Sequence, residues 1–424
     1  MHMVCWLVLA VSTAGQDLAS AYPDDLGQQL PLPRGCGSCL RLGVAIALSE
    51  ETLLLADDGQ RDGPPEPGMI ASYQRHSGDW YQQAILTAPN PLQGDLFGRS
   101  IDSEGTRVVV GAPGDPIGGP AGGSAWLLTQ TPHEWLIEAH FAPSEPMPGG
   151  QFGSSVAMAG EFVAVGAPYH DIGGAWDVGR VEIFQAKNAG WERIEVLDPL
   201  ELTTSMRFGT TLAFSRDGQT LCIGAPGFDT PVDRAGAVYT ATRDTAGTWE
   251  LSRIIQRARP TPLDRFGMAI ATSSQHVLVG IPGSDIGAPN AGALALLDPS
   301  NPTRVHAEWI EPSSAGAYLG YVLASSEALV CAAMPGATTP EGHLGYVRIF
   351  RIDAGKLLPV LDIAAQDDMA PLGNAIAVDG NRIVVTSVGT EDGVPQPGRA
   401  WFIELDHYLA SNQQPRLHRF PGTP

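Results

Sequence analysis

Basic residues are scarce: 25 Lys and Arg stand against 46 Asp and Glu, a formal net charge of -21 over 424 residues. Such a chain repels phosphate backbones and anionic membranes, and no basic run in the sequence reverses this locally. Nucleic acid is therefore excluded as an expected partner, and cationic surfaces are favoured. Long apolar runs are missing too; none reaches the roughly 18 residues of a membrane-spanning helix. The one apolar stretch at the N-terminus, Val4–Val11, is followed by Ser12, Thr13 and Ala14. It predicts a signal peptide over residues 1–15, although no Lys or Arg precedes it, and with it a secreted or cell-surface location.

Cysteine is limited to five residues, one of which, Cys5, would leave with a signal peptide. Cys36-Gly-Ser-Cys39 is a candidate local disulfide or a redox pair, and the lack of a second CxxC argues against zinc. Cys222 and Cys331 fall inside apolar runs and read as small buried hydrophobes. Catalytic signatures are absent: there is no G-x-S-x-G, H-E-x-x-H, Walker A or dinucleotide fingerprint. The ten histidines recur at no common position.

Glycine and proline, by contrast, are plentiful (50 and 35), while 43% of the residues are hydrophobic, too many for disorder. They punctuate many short elements, which points to an all-β chain. After a Pro/Gly-rich lead-in at 16–41, a Phe-Gly or Leu-Gly pair marks units starting near 42, 97, 152, 208, 266, 319 and 372. The marker glycines are 53 to 58 residues apart, a period that means a propeller or solenoid. Each unit reads as four strands: one beginning just after the marker, a wholly apolar second such as FVAVG, a third opening at Gly, and a fourth often opening at Trp. Runs without alternation suit strands covered on both faces. Seven such units close radially, removing the exposed end sheets of an open stack. The expected fold is a seven-bladed β-propeller of four-stranded antiparallel blades over 42–424. For the fourth strand of blade seven, spacing favours Pro415–Phe420 over a segment of the lead-in.

With Phe152-Gly153 followed by Gly166-Ala167-Pro168, the unit resembles the FG-GAP repeat, known from integrin α-subunit heads and bacterial secreted propellers. The likeness is strongest in blades two to four and fades at Ala56-Asp57-Asp58, Ala333-Met334-Pro335 and Thr386-Ser387-Val388. It implies recognition or adhesion through loops on one face, often with calcium in the hairpin between strands one and two. Those hairpins (DSEGT and SRDGQ among them) lack the D-x-D-x-D-G spacing that gathers oxygens around one cation. The family's calcium sites do not carry over and no cofactor is expected; calcium held elsewhere stays an open alternative.

Two sets of residues are candidates for function. The loop after the second strand carries Asp115, Asp171, Asp229 and Asp285, joined by Asp62 and Asp392 in less regular units. They could form an acidic ring on one face, or simply make Asx-turns within their own loops. Tyr169, His170, Trp176 and Asp177 in blade three and Phe228 and Asp233 in blade four add the aromatic and acidic groups a protein or carbohydrate ligand would use. The second candidate is Asp102, where the other six blades have Ala. A carboxylate there needs a partner such as Ser100, Ser103 or a neighbouring blade. Paired with Asp57 or Asp58, it is the one constellation that an alternative reading, a glycan-cleaving enzyme with a central pocket, could use. A structural module of an envelope assembly is the remaining alternative.

Overall fold

The computed structural model describes residues 20–405 except 22–26, 35–38, 50, 61–64, 230–231, 253–254, 274–275, 299–300, 312–313, 328, 339–341, 343, 365–370 and 392–393. These residues fold as seven sheets, each built on four antiparallel strands. Blade three is representative, with strands Ser155–Ala159, Phe162–Ala167, Arg180–Lys187 and Gly190–Leu197 hydrogen-bonded in that order. The first strands of all seven blades touch one another in a closed cycle, so they are the innermost and surround the central axis. The apolar runs of the second strands are buried, and Phe162–Ala167 is buried from end to end, as strands covered on both faces require. The propeller expected from the sequence is the fold.

The apolar core lies between the blades, as seven clusters, one at each junction. The cluster between blades three and four joins Val181 and Ile183 to Phe208, Leu221 and Tyr239. The cluster that closes the ring joins Leu53, Leu55 and Tyr73 of blade one to Val384, Ala400 and Phe402 of blade seven. Cys222 and Cys331 are free thiols inside two of these junctions, and burial pushes the Cys222 thiol up to about 12.

The repeated glycines have distinct physical causes. Every marker glycine is left-handed, with φ between +86° at Gly209 and +93° at Gly153, a conformation that side chains resist. In blades two to five its N–H donates to the carbonyl of a glycine near the end of the second strand, as in Gly153 to Gly166 at 2.9 Å, and in blades one and six to Ala56 and Ala333. That second glycine meets the next blade: a Cβ on Gly111 would lie 1.9 Å from the Gly153 carbonyl oxygen, and one on Gly166 2.4 Å from that of Gly209. The glycine opening the third strand touches the next marker in the same way, from Gly123 on Phe152 around to Gly398 on Leu42, the contact that shuts the ring. The motif is thus a backbone-to-backbone seam between neighbouring sheets.

Ring closure differs from the expectation. The outer position of blade seven is filled by Gly27–Gln29, antiparallel to Val394–Glu404, with Gln29 opposite Trp401. Pro415–Phe420 lies outside the described residues. Ser20–Ala21 pairs in parallel with the outer strand of blade six, giving that sheet a fifth strand. Part of the lead-in at 16–41 therefore belongs to the ring. Spacing does not reveal such a strand, because three residues have no periodicity, while pairing to the sheet edge supplies the bonds a short segment lacks. The seam is reinforced where Arg75 of blade one reaches Glu404 of blade seven at 3.0 Å and lies over the Phe402 ring. Hydrogen bonding to Arg75 holds the Glu404 carboxyl below the usual range.

Cys39 is disulfide-bonded; Cys36, its expected partner, lies outside the described residues, as do the signal-peptide region, Asp62 and Asp392. No helix among the described residues is long and apolar enough to cross a membrane.

Candidate functional site

The loops after the second strands and the connectors between blades share one face of the ring. Backbone bonds join them: Gly149 N–H to Pro120 O, Ser205 N–H to Trp176 O, and Leu263 N–H to Asp233 O. The four recurring aspartates lie on this face, and three use their carboxylates locally. Asp115 accepts from Ile117 N–H at 3.1 Å and from the Ser124 hydroxyl at 2.8 Å. Asp171 accepts from Asp177 N–H at 2.9 Å, and Asp285 from Asn290 N–H at 2.8 Å. Asp177 and Asn290 are themselves left-handed, so each carboxylate holds the strained residue that leads into the third strand. The Asx-turn alternative accounts for these three. Asp229 and Asp233 are exposed, and Asp233 lies 3.8 Å from its neighbour Arg234.

Blade three stands apart. Ile172 and Ala175 exchange two backbone hydrogen bonds across Gly173 and Gly174, whose φ of +61° and +86° make a tight hairpin of the primed kind. Ile172 and Ala175 pack onto the core between blades three and four, which pins the hairpin's base. Trp176 follows at once and is 70% exposed, its carbonyl accepting the Ser205 N–H at 2.7 Å. Beside it, on the connector to blade four, Leu200 and Leu202 are 69% and 46% exposed, and Leu202 lies against the hairpin tip at Gly173. Asp171 and Glu201 edge this apolar patch, and both are exposed. Inward of it, the Arg207 guanidinium sits 5.2 Å above the Tyr169 ring.

Two expected residues turn inward. Phe228 is buried in the junction between blades three and four, so it packs and cannot meet a ligand. His170 is also buried, with Nε2 3.7 Å from Glu145. Burial, aided by the Arg180 charge, lowers its pKa, so it stays neutral near neutral pH. Arg180 bridges Glu145 and Asp198, tying the incoming connector to blade three's outer strand. Leu200, Leu202 and Arg207 were not read as candidates from the sequence, since they follow no repeat position that carries chemistry.

Asp102 has the neighbour-blade partner expected of it: it accepts from Met158 N–H of blade three at 2.8 Å and from Ser103 N–H at 2.9 Å. It keeps a partial opening toward the axis, yet protein crowds it enough that burial pushes its carboxyl up to about 6, against both N–H donors and with Glu104 adding to the rise. Its proposed companions are committed elsewhere. Asp58 is fully buried between Arg41 at 2.8 Å and Arg99 at 3.2 Å, and Asp57 accepts from Gly59 N–H and Arg41 N–H. The acid pair that the enzyme alternative needs is not assembled.

A raised folded-state pKa makes Asp102 favour folding when protonated, so its contribution is complete below the unfolded value and is lost as pH rises through about 6. Between about pH 7 and about pH 5 it should add about 1 kcal/mol of stability. Asp102→Ala, the residue present in the other blades, should remove that slope. Urea unfolding of both proteins across this range checks it, and parallel slopes would contradict it.

No curated protein sequence matches the chain. Residues 80–128 and 135–184 match the FG-GAP repeat, from the outer strand of blade one through the third strand of blade three. Among solved structures, 519 chains match, so the architecture is common and the likeness speaks for fold alone. The "Crystal structure of RRP9 WD40 repeats" shows this: it is 11% identical, with a TM-score of 0.55 over 91% of this chain and 99% of that one. Seven sheets around one axis, with FG-GAP repeats matched at residues 80–128 and 135–184, make this chain a seven-bladed β-propeller that contains FG-GAP repeats.

Proposed function

We propose that the chain is an extracytoplasmic recognition module that seats a protein partner on the loop-and-connector face, with Trp176 as the anchor. One observation carries the reading: a large aromatic side chain is left 70% exposed on a hairpin pinned at both ends. Exposed apolar surface costs free energy, and a rigid loop loses little entropy when a partner covers it. Binding hot spots are enriched in tryptophan for this reason. Leu200 and Leu202 widen the patch beyond what one sugar ring would cover, which favours a protein over a carbohydrate. Asp171 and Glu201 at the edge match a partner whose apolar contact is flanked by basic residues.

The test is a binding screen of the purified protein against panels of extracellular proteins and of glycans, with Trp176→Ala in parallel. The partner should lose at least about tenfold in affinity to that variant, the size expected of a central anchor. A partner that binds both proteins equally, or hits confined to the glycan panel, would overturn the reading.

A further inference from the structure

The fold collects basic residues that the sequence keeps apart. The fourteen positions flanking the seven marker pairs include Arg41, Arg99, Arg207 and Arg265 and no Asp or Glu, in a chain with 46 acidic residues to 25 basic ones. These positions stand where the inner strands begin, so they form the rim of the central channel on the loop-and-connector face. The overall charge is negative; the rim is not.

Two of the arginines are pre-placed and unneutralised. Arg207 and Arg265 precede the markers of blades four and five, and both have φ +56°, a left-handed backbone shared by Leu96, Gln151 and Tyr318 at the same position. Their side chains therefore leave the ring from equivalent points one blade apart. Both are exposed, and among the described residues neither meets a carboxylate. The acid nearest Arg265 in sequence, Asp264, is buried and taken by Arg257, and the Asp171 carboxylate is bonded to Asp177 N–H. Arg41 and Arg99 share the single buried carboxylate of Asp58, with Asp57 behind them. Half-exposed rings sit among these cations: Tyr169 under Arg207, and Tyr318 and Tyr321 on blade six.

We infer that the channel rim is an anion-recognition site that takes the carboxylates of an acidic peptide segment. Guanidinium forks bind carboxylates bidentately, and two of them fixed by the backbone one blade apart suit successive acidic side chains of an extended segment. A peptide is favoured over an anionic glycan because the rim is continuous with the Trp176 patch through Arg207, whose N–H donates to the Asp177 carbonyl. The inference thus deepens the protein-partner reading by giving that partner an acidic tip, but its test does not depend on Trp176.

The experiment titrates a fluorescent deca-glutamate peptide into the wild-type protein at low salt, with deca-lysine, a sulfated oligosaccharide and inorganic sulfate as comparisons. Saturable deca-glutamate binding is expected, weakening with added salt. It should fall at least about tenfold in Arg207→Glu/Arg265→Glu and in the milder Arg207→Gln/Arg265→Gln. Arg216→Glu, on a hairpin of the opposite face, should leave it unchanged. Trp176→Ala should also retain it, so a failure of the anchor reading and a failure of the rim are told apart. No saturable binding, or binding indifferent to both double variants, would overturn the inference. Saturation by the sulfated oligosaccharide alone would assign the rim to an anionic glycan instead.

Discussion

Gly111→Ala is expected to cost about 3 kcal/mol or more of stability, the upper end of what overpacking does. The added methyl would sit 1.9 Å from the Gly153 carbonyl oxygen and 2.4 Å from the Ser100 hydroxyl. The nearer clash is with backbone, since Gly153 belongs to the next blade and is itself fixed by its bond to Gly166, and the Ser100 hydroxyl donates to that same Gly153 carbonyl. Turning Ser100 aside would leave the 1.9 Å backbone clash in place, so the junction between blades two and three must open. Gly105→Ala is the control: it has positive φ but nothing within 4 Å of the new methyl, so only backbone strain of about 1 kcal/mol is expected. Guanidinium unfolding midpoints of the two variants decide the matter. If Gly111→Ala loses no more than Gly105→Ala, the glycines are not a contact seam.

Arg257→Met should cost about 3–5 kcal/mol, the range for stripping one partner from a buried ion pair. Arg257 lies between the outer strand of blade four and the marker of blade five, and its side chain is 1% exposed. It donates to Asp264 at 3.2 Å, to the Ser284 hydroxyl at 2.8 Å and to Glu308 at 3.0 Å. Asp264 keeps its bonds from Thr261 N–H and the Thr261 hydroxyl when the arginine is removed, but its charge is then buried without a cation. Adding Asp264→Asn and Glu308→Gln to the Met variant should recover part of the loss, because the unpaired charges go with them. A thermodynamic cycle over these variants measures the coupling. A loss below about 1 kcal/mol for the single variant would show the cluster to be dispensable.

The blades were legible because each must pack alike, so the sequence repeats whatever the junction demands. Phe152, Gly153 and Gly166 recur for that reason, and their spacing alone fixes the hairpins. The Asx-turn alternative for Asp115, Asp171 and Asp285 was equally readable, since each bond spans only two to six residues. The patch and the rim were not. Trp176 could be named as a candidate, but its exposure depends on Ile172 and Ala175 entering the core below it, and Leu202 belongs to a different connector. Arg99, Arg207 and Arg265 come from three blades, so no sequence window shows their convergence. Phe228 misled because a core aromatic and a ligand-facing one look the same in a loop. The closing strand escaped because Gly27–Gln29 is too short to carry a pattern.

That strand also sets an order of events. A chain made from its N-terminus can complete blades one to five as they emerge, but Gly27–Gln29, made before every strand of blade one, must wait for Val394–Glu404, made after the strands of the other six blades. Closing so long a loop costs only about 4 kcal/mol more than closing a short hairpin, because the entropy grows with the logarithm of length. A translation product that stops before residue 394 has no place for its own beginning. Cleavage or fusion near residue 28 would damage blade seven, at the far end of the sequence, before it disturbed blade one.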